Sequence, residues 1–414
     1  MGFSVSTLAS ALVGACSLLY FGVASHWLGD EALSLFVIAM AEVGIIQALL
    51  IPRAWLYVIS APKDALGERV SASMAIEVIG GALGLLILVA YCAVRGFDSD
   101  GFQLRLIVYF SFWIPSLTSV NGAYRAAQRW FAYFMWIAGS TILRVPMLAL
   151  VVPHLDRTVS PARSIMQAAL ASYLVPELIR VCVGLPPLLR RYFRWPSIGS
   201  LRAAFLPVSA NWRFDVGSSL TDSLDKLFVG ALFGPHILTV YFFARRIAGA
   251  VTMVQESFYA HVYQRRIESL RSPSESCFLW FSYAAGLGIS LSIALFVGVI
   301  FFIVSTSPVG AHYLPESAVS NPVLFICVIG LDAVFCANRW YRYISLHWGA
   351  SLLFAIRIAS FLVFLLVAWW DVDIMSPSTP LTAMACALFI DTLALVYFVR
   401  ATQKSHRPLS PLAQ

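Results

Sequence analysis

Apolar runs long enough to cross a bilayer recur from end to end of this chain, and they decide what it can fold into. A helix needs about 20 apolar residues to traverse the hydrocarbon layer. Windows of that length place six helices at about 5–27, 33–59, 74–94, 106–124, 131–153 and 165–189. Six more fall at about 207–233, 237–261, 276–305, 319–337, 346–370 and 379–399. Of the 414 residues 60% are apolar and only 12% charged, against about 45–50% and about a quarter in soluble domains. A soluble protein with that surplus would expose large contiguous apolar patches. Seven scattered cysteines exclude a disulfide scaffold, and the runs lack the alternation of a transmembrane barrel. The first run is too long, and lacks the basic flank, for a secretory signal peptide. The chain reads as an all-α polytopic membrane protein.

Connections carry the orientation. One set holds sixteen Lys and Arg residues, whereas the opposite set holds four, Arg95, Arg105, Arg157 and Arg163. That asymmetry puts both termini in the cytoplasm. It also accounts for the net charge of +7 through loops near anionic headgroups, so nucleic acid is not a partner. No connection exceeds about seventeen residues, which leaves no extramembrane domain. The longest, near 190–206, mixes Arg190, Arg191, Arg194 and Arg202 with Tyr192, Phe193 and Trp195, a pattern suited to the membrane interface. The expected organisation is a six-helix bundle over 1–190, an amphipathic linker over 191–206, a second bundle over 207–400 and a tail over 401–414.

The two sixes look related. An offset of 205 residues aligns Gly29–Gly44 with Gly234–Gly249 without gaps, with Gly29/Gly234, Leu33/Leu238, Ala39/Ala244 and Gly44/Gly249 identical. Both copies open the second helix of their half. A shift by an even number of spans means parallel repeats about an axis along the membrane normal, with cargo held between halves that rock. A transporter with a central cavity is expected.

Seventeen ionisable residues fall inside the spans, eight basic and nine acidic. At roughly 2.5–3.5 kcal/mol each, exposing them all to lipid would cost on the order of 50 kcal/mol, far above a net stability of about 5–15 kcal/mol. Most must face water or one another. The seventh span is the most polar, and Asp215, Ser219, Asp222 and Lys226 share one helical face, with Asp222 and Lys226 spaced for an ion pair. Arg53, Arg144, Arg213, Arg246 and Arg357 lie several residues inside their spans. Guanidinium is always charged and forked for phosphate or carboxylate, so these five, with Lys226 and Arg245, are the candidate ligands of an anionic cargo. The alternative pairs each arginine with an acid, since 8 − 9 = −1 leaves the spans nearly neutral. Glu42, Glu77, Asp222 and Asp332 are candidates for coupling protons or sodium. No metal-ligand spacing and no P-loop is present, so neither a metal, a cofactor nor ATP hydrolysis is expected.

Several stretches resemble a known family. Leu224-Asp-Lys-Leu-Phe-Val-Gly-Ala-Leu-Phe-Gly-Pro235, then Val240-Tyr-Phe-Phe-Ala-Arg245, is similar to a segment of Wzx-type polysaccharide flippases. Those belong to the multidrug/oligosaccharidyl-lipid/polysaccharide (MOP) exporter superfamily. Trp27-Leu-Gly29 through Ala48-Leu-Leu-Ile-Pro-Arg53 resembles that family's first helix pair, and Ala126-Ala-Gln-Arg129-Trp-Phe131 its link between fourth and fifth helices. The resemblance implies two six-helix bundles in a MATE-like arrangement and movement of an undecaprenyl-pyrophosphate-linked oligosaccharide to the outer leaflet of a bacterial inner membrane. It further implies ion-coupled alternating access without enzymatic chemistry, in O-antigen, capsule or exopolysaccharide synthesis. Membrane lipids, a polysaccharide polymerase and chain-length proteins are the expected partners. One departure is that residues 1–25 carry no charge where the family often has a basic residue, a place Arg53 can take. Two alternatives stand beside this. A MATE-like drug or metabolite antiporter expects an acid-lined pocket. An integral membrane glycosyltransferase such as an O-antigen polymerase or ligase expects a large outer loop, and the connections here are short.

Overall fold

The computed structural model describes residues 2–62, 64–155, 160–269, 275–307 and 350–370, with isolated helical positions at 330, 332, 334, 382–384, 386, 387 and 390. The described elements are helical: α1 (Gly2–Leu50), α2 (Trp55–Ile59), α3 (Leu66–Arg95), α4 (Ser99–Trp113), α5 (Thr118–Ala126) and α6 (Trp130–Val151). There follow α7 (Pro161–Ala169), α8 (Val175–Tyr192), α9 (Ile198–Ser269), α10 (Glu275–Ser305) and α11 (Ala350–Trp370). Among the described residues seven helices are long and apolar enough to cross a membrane. The expected spans at 319–337 and 379–399 lie outside the described residues except at those isolated positions.

Two of these helices are really pairs. α1 turns at Gly29 (φ 78°, ψ 168°) and α9 at Gly234 (φ 81°, ψ 179°). That backbone region is open essentially to glycine alone, because a Cβ there costs about 1–3 kcal/mol. The two residues are the aligned pair of the 205-residue repeat, so the repeat is carried in backbone geometry as well as in sequence. Gly29→Ala and Gly234→Ala should each lower the melting temperature in detergent. Gly22→Ala, on a helical residue with open space around it, should leave it unchanged or raise it.

Prolines set the other breaks. The single span expected over 33–59 ends at Leu50, and residues 51–54 are not helical. Pro52 has no N–H to give Ala48, four residues back. The Ala48 carbonyl instead accepts from Trp212 Nε1 of α9 at 2.9 Å. Arg53 is therefore not inside a helix, as the hydropathy window placed it, but exposed just beyond one. The span over 106–124 divides likewise around Pro115 into α4 and α5. Between α7 and α8, residues Leu170–Leu174 form a π-helical turn just ahead of Pro176, whose missing N–H leaves the Ser172 carbonyl without its usual donor.

The seam between the first half (α1–α8) and the second runs along α1 and α9. Small residues let the backbones meet: a Cβ on Gly14 would lie 2.9 Å from Ala250 Cβ, and one on Gly44 2.8 Å from Ser223 Oγ. Phe21 packs edge-on against Phe242 at 4.8 Å. Beside the two kinks, His236 Nδ1 meets Asp30 Oδ2 at 2.9 Å, which ties the halves at that end.

Candidate functional site

Along the seam, away from the kinks, lies a cavity of about 440 Å³ walled by α1, α4 and α9, a volume within the usual range of ligand sites. Ser219, Ser223 and Lys226 face it from α9, as the polar stripe of the seventh span leads one to expect. Four cations line it, Arg53, Lys226, Arg245 and Arg246, with Asp332 as the acid in its wall.

Hydrogen bonding sorts these charges. Arg245 gives its Nη1 to Asp332 Oδ1 at 2.6 Å and sets its Nε 3.6 Å from Asp225 Oδ2. Asp225 also holds Lys226 Nζ at 3.3 Å and accepts from the Tyr241 hydroxyl at 2.6 Å. Two cations and two carboxylates thus neutralise each other. Spacing favoured Asp222 as the partner of Lys226. The structure gives Asp225 that contact, and the Asp222 side chain lies outside the described residues.

Arg246 is different. Its guanidinium lies over the rings of Phe21 and Phe242, 4.8 Å from each centroid, and among the described residues no carboxylate pairs with it. Such stacking is worth about 0.5–2 kcal/mol and engages the flat face of the group, leaving the in-plane N–H donors for another ligand. Arg246 sits 246 − 235 = 11 residues beyond Pro235, about 17 Å down the helix at 1.5 Å per residue. Arg53 lies just past the end of α1, about 30 Å from Gly29 by the same rise, and also has no carboxylate partner among the described residues. The described cavity therefore carries a surplus of two positive charges at two depths.

The other expected site residues are placed elsewhere. Arg144 Nη2 is held 2.8 Å from Glu177 Oε1, and Arg180 Nη1 stands 2.9 Å from Glu177 Oε2; Arg144 does not line the cavity. Glu42 binds Arg105 Nε at 2.7 Å and the Tyr91 hydroxyl at 2.8 Å. Arg105, counted among the connections, is thus buried within α4. Glu77 is fully buried. It accepts from the backbone N–H groups of Ala54 and Ser119 and from the hydroxyls of Thr118 and Ser119. It caps the starts of α2 and α5, where a carboxylate is favoured by the unpaired N–H groups. Neither Glu42 nor Glu77 lines the cavity. Arg213 and Asp222 are helical positions of α9 and Arg357 of α11, and their side chains lie outside the described residues.

Sequence reading missed two features of the site. Asp225 was one more intramembrane acid in the count, and nothing in its local spacing marks it as the hub of Lys226, Tyr241 and Arg245. The ring platform of Arg246 was half visible, since Phe242 precedes it by one helical turn. Phe21 arrives from the other half of the chain.

No protein-family profile and no curated protein sequence matches the chain. Solved structures match it by shape over nearly its whole length. A mutant of the Vibrio cholerae MATE transporter VcmN superposes with a TM-score of 0.64 at 14% identity, over 98% of this chain and 97% of that one. The MATE multidrug transporter DinF-BH does so with a TM-score of 0.66 at 12% identity, over 98% and 94%. The fold is that of the MATE transporters. A third match is a MOP-superfamily transporter from Pyrococcus furiosus described as having a binding pocket of reverse polarity, with a TM-score of 0.56 at 14% identity over 98% and 96%. The all-helical, MATE-like fold expected from the sequence is the one observed. It makes the chain a multi-pass membrane protein built like known transporters.

Proposed function

We propose that this chain carries an undecaprenyl-pyrophosphate-linked oligosaccharide across a bacterial inner membrane for surface-polysaccharide synthesis, by rocking its halves about the α1–α9 seam. The observation that carries the reading is the pair of cavity arginines, Arg246 and Arg53, left without carboxylates among the described residues. A pyrophosphate supplies the anion that such a surplus calls for. With the basic connections in the cytoplasm, Arg53 stands at the cytoplasmic mouth and Arg246 receives the phosphates deeper in the bilayer. The Asp30–His236 contact then closes the outer end, which makes this the inward-open arrangement. Asp332, which lines the cavity and pairs with Arg245, is the acid through which ion coupling is tested first.

A MATE-like antiporter of cationic drugs is the second reading, and Asp332 in the cavity wall, with Asp225 behind it, speaks for it. Both are already neutralised by Lys226 and Arg245, so a cationic drug would meet Arg246 and Arg53 first. The Pyrococcus furiosus structure offers a parallel within the superfamily for a pocket whose polarity is reversed. Thermal stabilisation of the purified protein separates the readings. A polyprenyl-pyrophosphate glycan should raise the melting temperature and lipophilic cations should not. Arg53→Ala should reduce export several-fold with insertion unchanged. Stabilisation by cations alone would overturn the proposal.

A further inference from the structure

A second concavity, of about 390 Å³, lies on the outer face of the first half between α6 and α8. Its walls are apolar and half open: Phe131 is 78% exposed and Val183 65%, with Met135 and Ile179 beside them. In a membrane-spanning bundle that face meets lipid. Gly139 forms part of the floor, and the space above it is open, with Met135 Cε 3.6 Å from where a Cβ would lie.

Three observations give this groove a chemistry. Arg129 lines its end, beside the connections rich in arginine, and has no carboxylate partner among the described residues. Beneath the groove, Glu177 answers two guanidinium groups, Arg144 and Arg180, with one carboxylate, so a buried positive charge is left over. Finally, Arg180 Nε, Trp136 Nε1 and Ser140 Oγ are buried without a hydrogen-bond partner, on residues 8%, 2% and 2% exposed that all line the groove. Unpaired buried donors and an uncompensated cation are costly. Here they border an apolar slot with a basic entrance.

We infer that this groove binds one acidic phospholipid of the surrounding bilayer, its phosphate on Arg129 and one acyl chain along the slot over Gly139. The excess positive charge on the Arg144–Glu177–Arg180 cluster selects an anionic headgroup over a zwitterionic one of equal tail length. The site is separate from the central cavity, and the inference stands whatever cargo that cavity carries.

Native mass spectrometry of the full-length purified protein, titrated with palmitoyl-oleoyl phosphatidylglycerol or the matching phosphatidylcholine, tests this. Phosphatidylglycerol should be retained about tenfold more tightly, because both lipids offer a phosphate but only phosphatidylcholine offsets it with an ammonium that the excess positive charge repels. Arg129→Ala should weaken the retention of both lipids and narrow the preference, since it removes the phosphate contact they share and one of the cations that favours the anionic headgroup. Gly139→Leu, which improves helix propensity while filling the slot, should weaken both at least fivefold. Val183→Trp, which blocks the slot from the opposite wall at an exposed position, should do the same and guards against a folding defect in the first variant. Equal retention of the two lipids by the wild type would overturn the inference. So would unchanged retention in both slot-filling variants, or retention of undecaprenyl phosphate with no measurable phosphatidylglycerol.

Discussion

Arg246→Ala should abolish most polysaccharide export while the protein remains in the membrane at its normal level. The ring faces of Phe21 and Phe242 on which the guanidinium rests survive its removal, and no carboxylate among the described residues is orphaned by it. Truncation therefore costs little stability. What disappears is a charge-assisted contact to phosphate, worth about 1.5–3 kcal/mol, or roughly 10–150-fold in affinity at 1.4 kcal/mol per decade. Arg246→Lys separates charge from shape. An ammonium keeps the attraction and loses the flat fork, so affinity for undecaprenyl pyrophosphate should fall between wild type and alanine. Arg245→Ala should behave otherwise, because it strips Asp332 and Asp225 of a partner and harms folding as well as transport. Titrating the purified variants with undecaprenyl pyrophosphate, with melting temperature followed in parallel, reads both effects. Wild-type affinity in Arg246→Ala would remove the ground for an anionic cargo.

Much of the architecture is written in the one-dimensional pattern. Apolar runs and loop charge are local properties, and they define membrane helices almost without reference to packing. Gly29 and Gly234 are legible for a related reason: a backbone conformation that excludes every side chain leaves a glycine at the same place in each repeat. The site was harder to read because it is a matter of which charge meets which. Arg53, Arg144 and Arg246 look alike along the chain. One stands exposed past a proline break, one is held by Glu177 thirty-three residues later, and one stacks on a ring from the opposite half. Glu42 and Glu77 resemble coupling acids until the folded chain supplies Arg105 to one and two helix starts to the other. Composition bounds the number of pairs, and tertiary contact alone assigns them.

The Glu177 cluster carries the largest stability effect. Its carboxylate is fully buried between Arg144 and Arg180, whose Nη2 also donates to the Ile137 carbonyl at 3.1 Å. Removing one partner of a buried ion pair costs about 3–5 kcal/mol, and here a single substitution strands two like charges. Against a total of about 5–15 kcal/mol, Glu177→Ala should leave little folded protein, visible as loss of the monodisperse peak on size exclusion in detergent. Glu177→Gln keeps the shape and loses the charge, so it should fail nearly as badly. The informative variant removes every charge together. Arg144→Met, Glu177→Leu and Arg180→Met in one chain replace the cluster by apolar side chains of similar length, a change that buried ion pairs often tolerate. The triple variant should recover most of the melting temperature lost by Glu177→Ala. If it also exports at the wild-type rate, Arg144 acts only by pairing with Glu177. Good folding with failed export would instead return Arg144 to the cargo's path, through its contact with the Tyr173 ring at 4.0 Å.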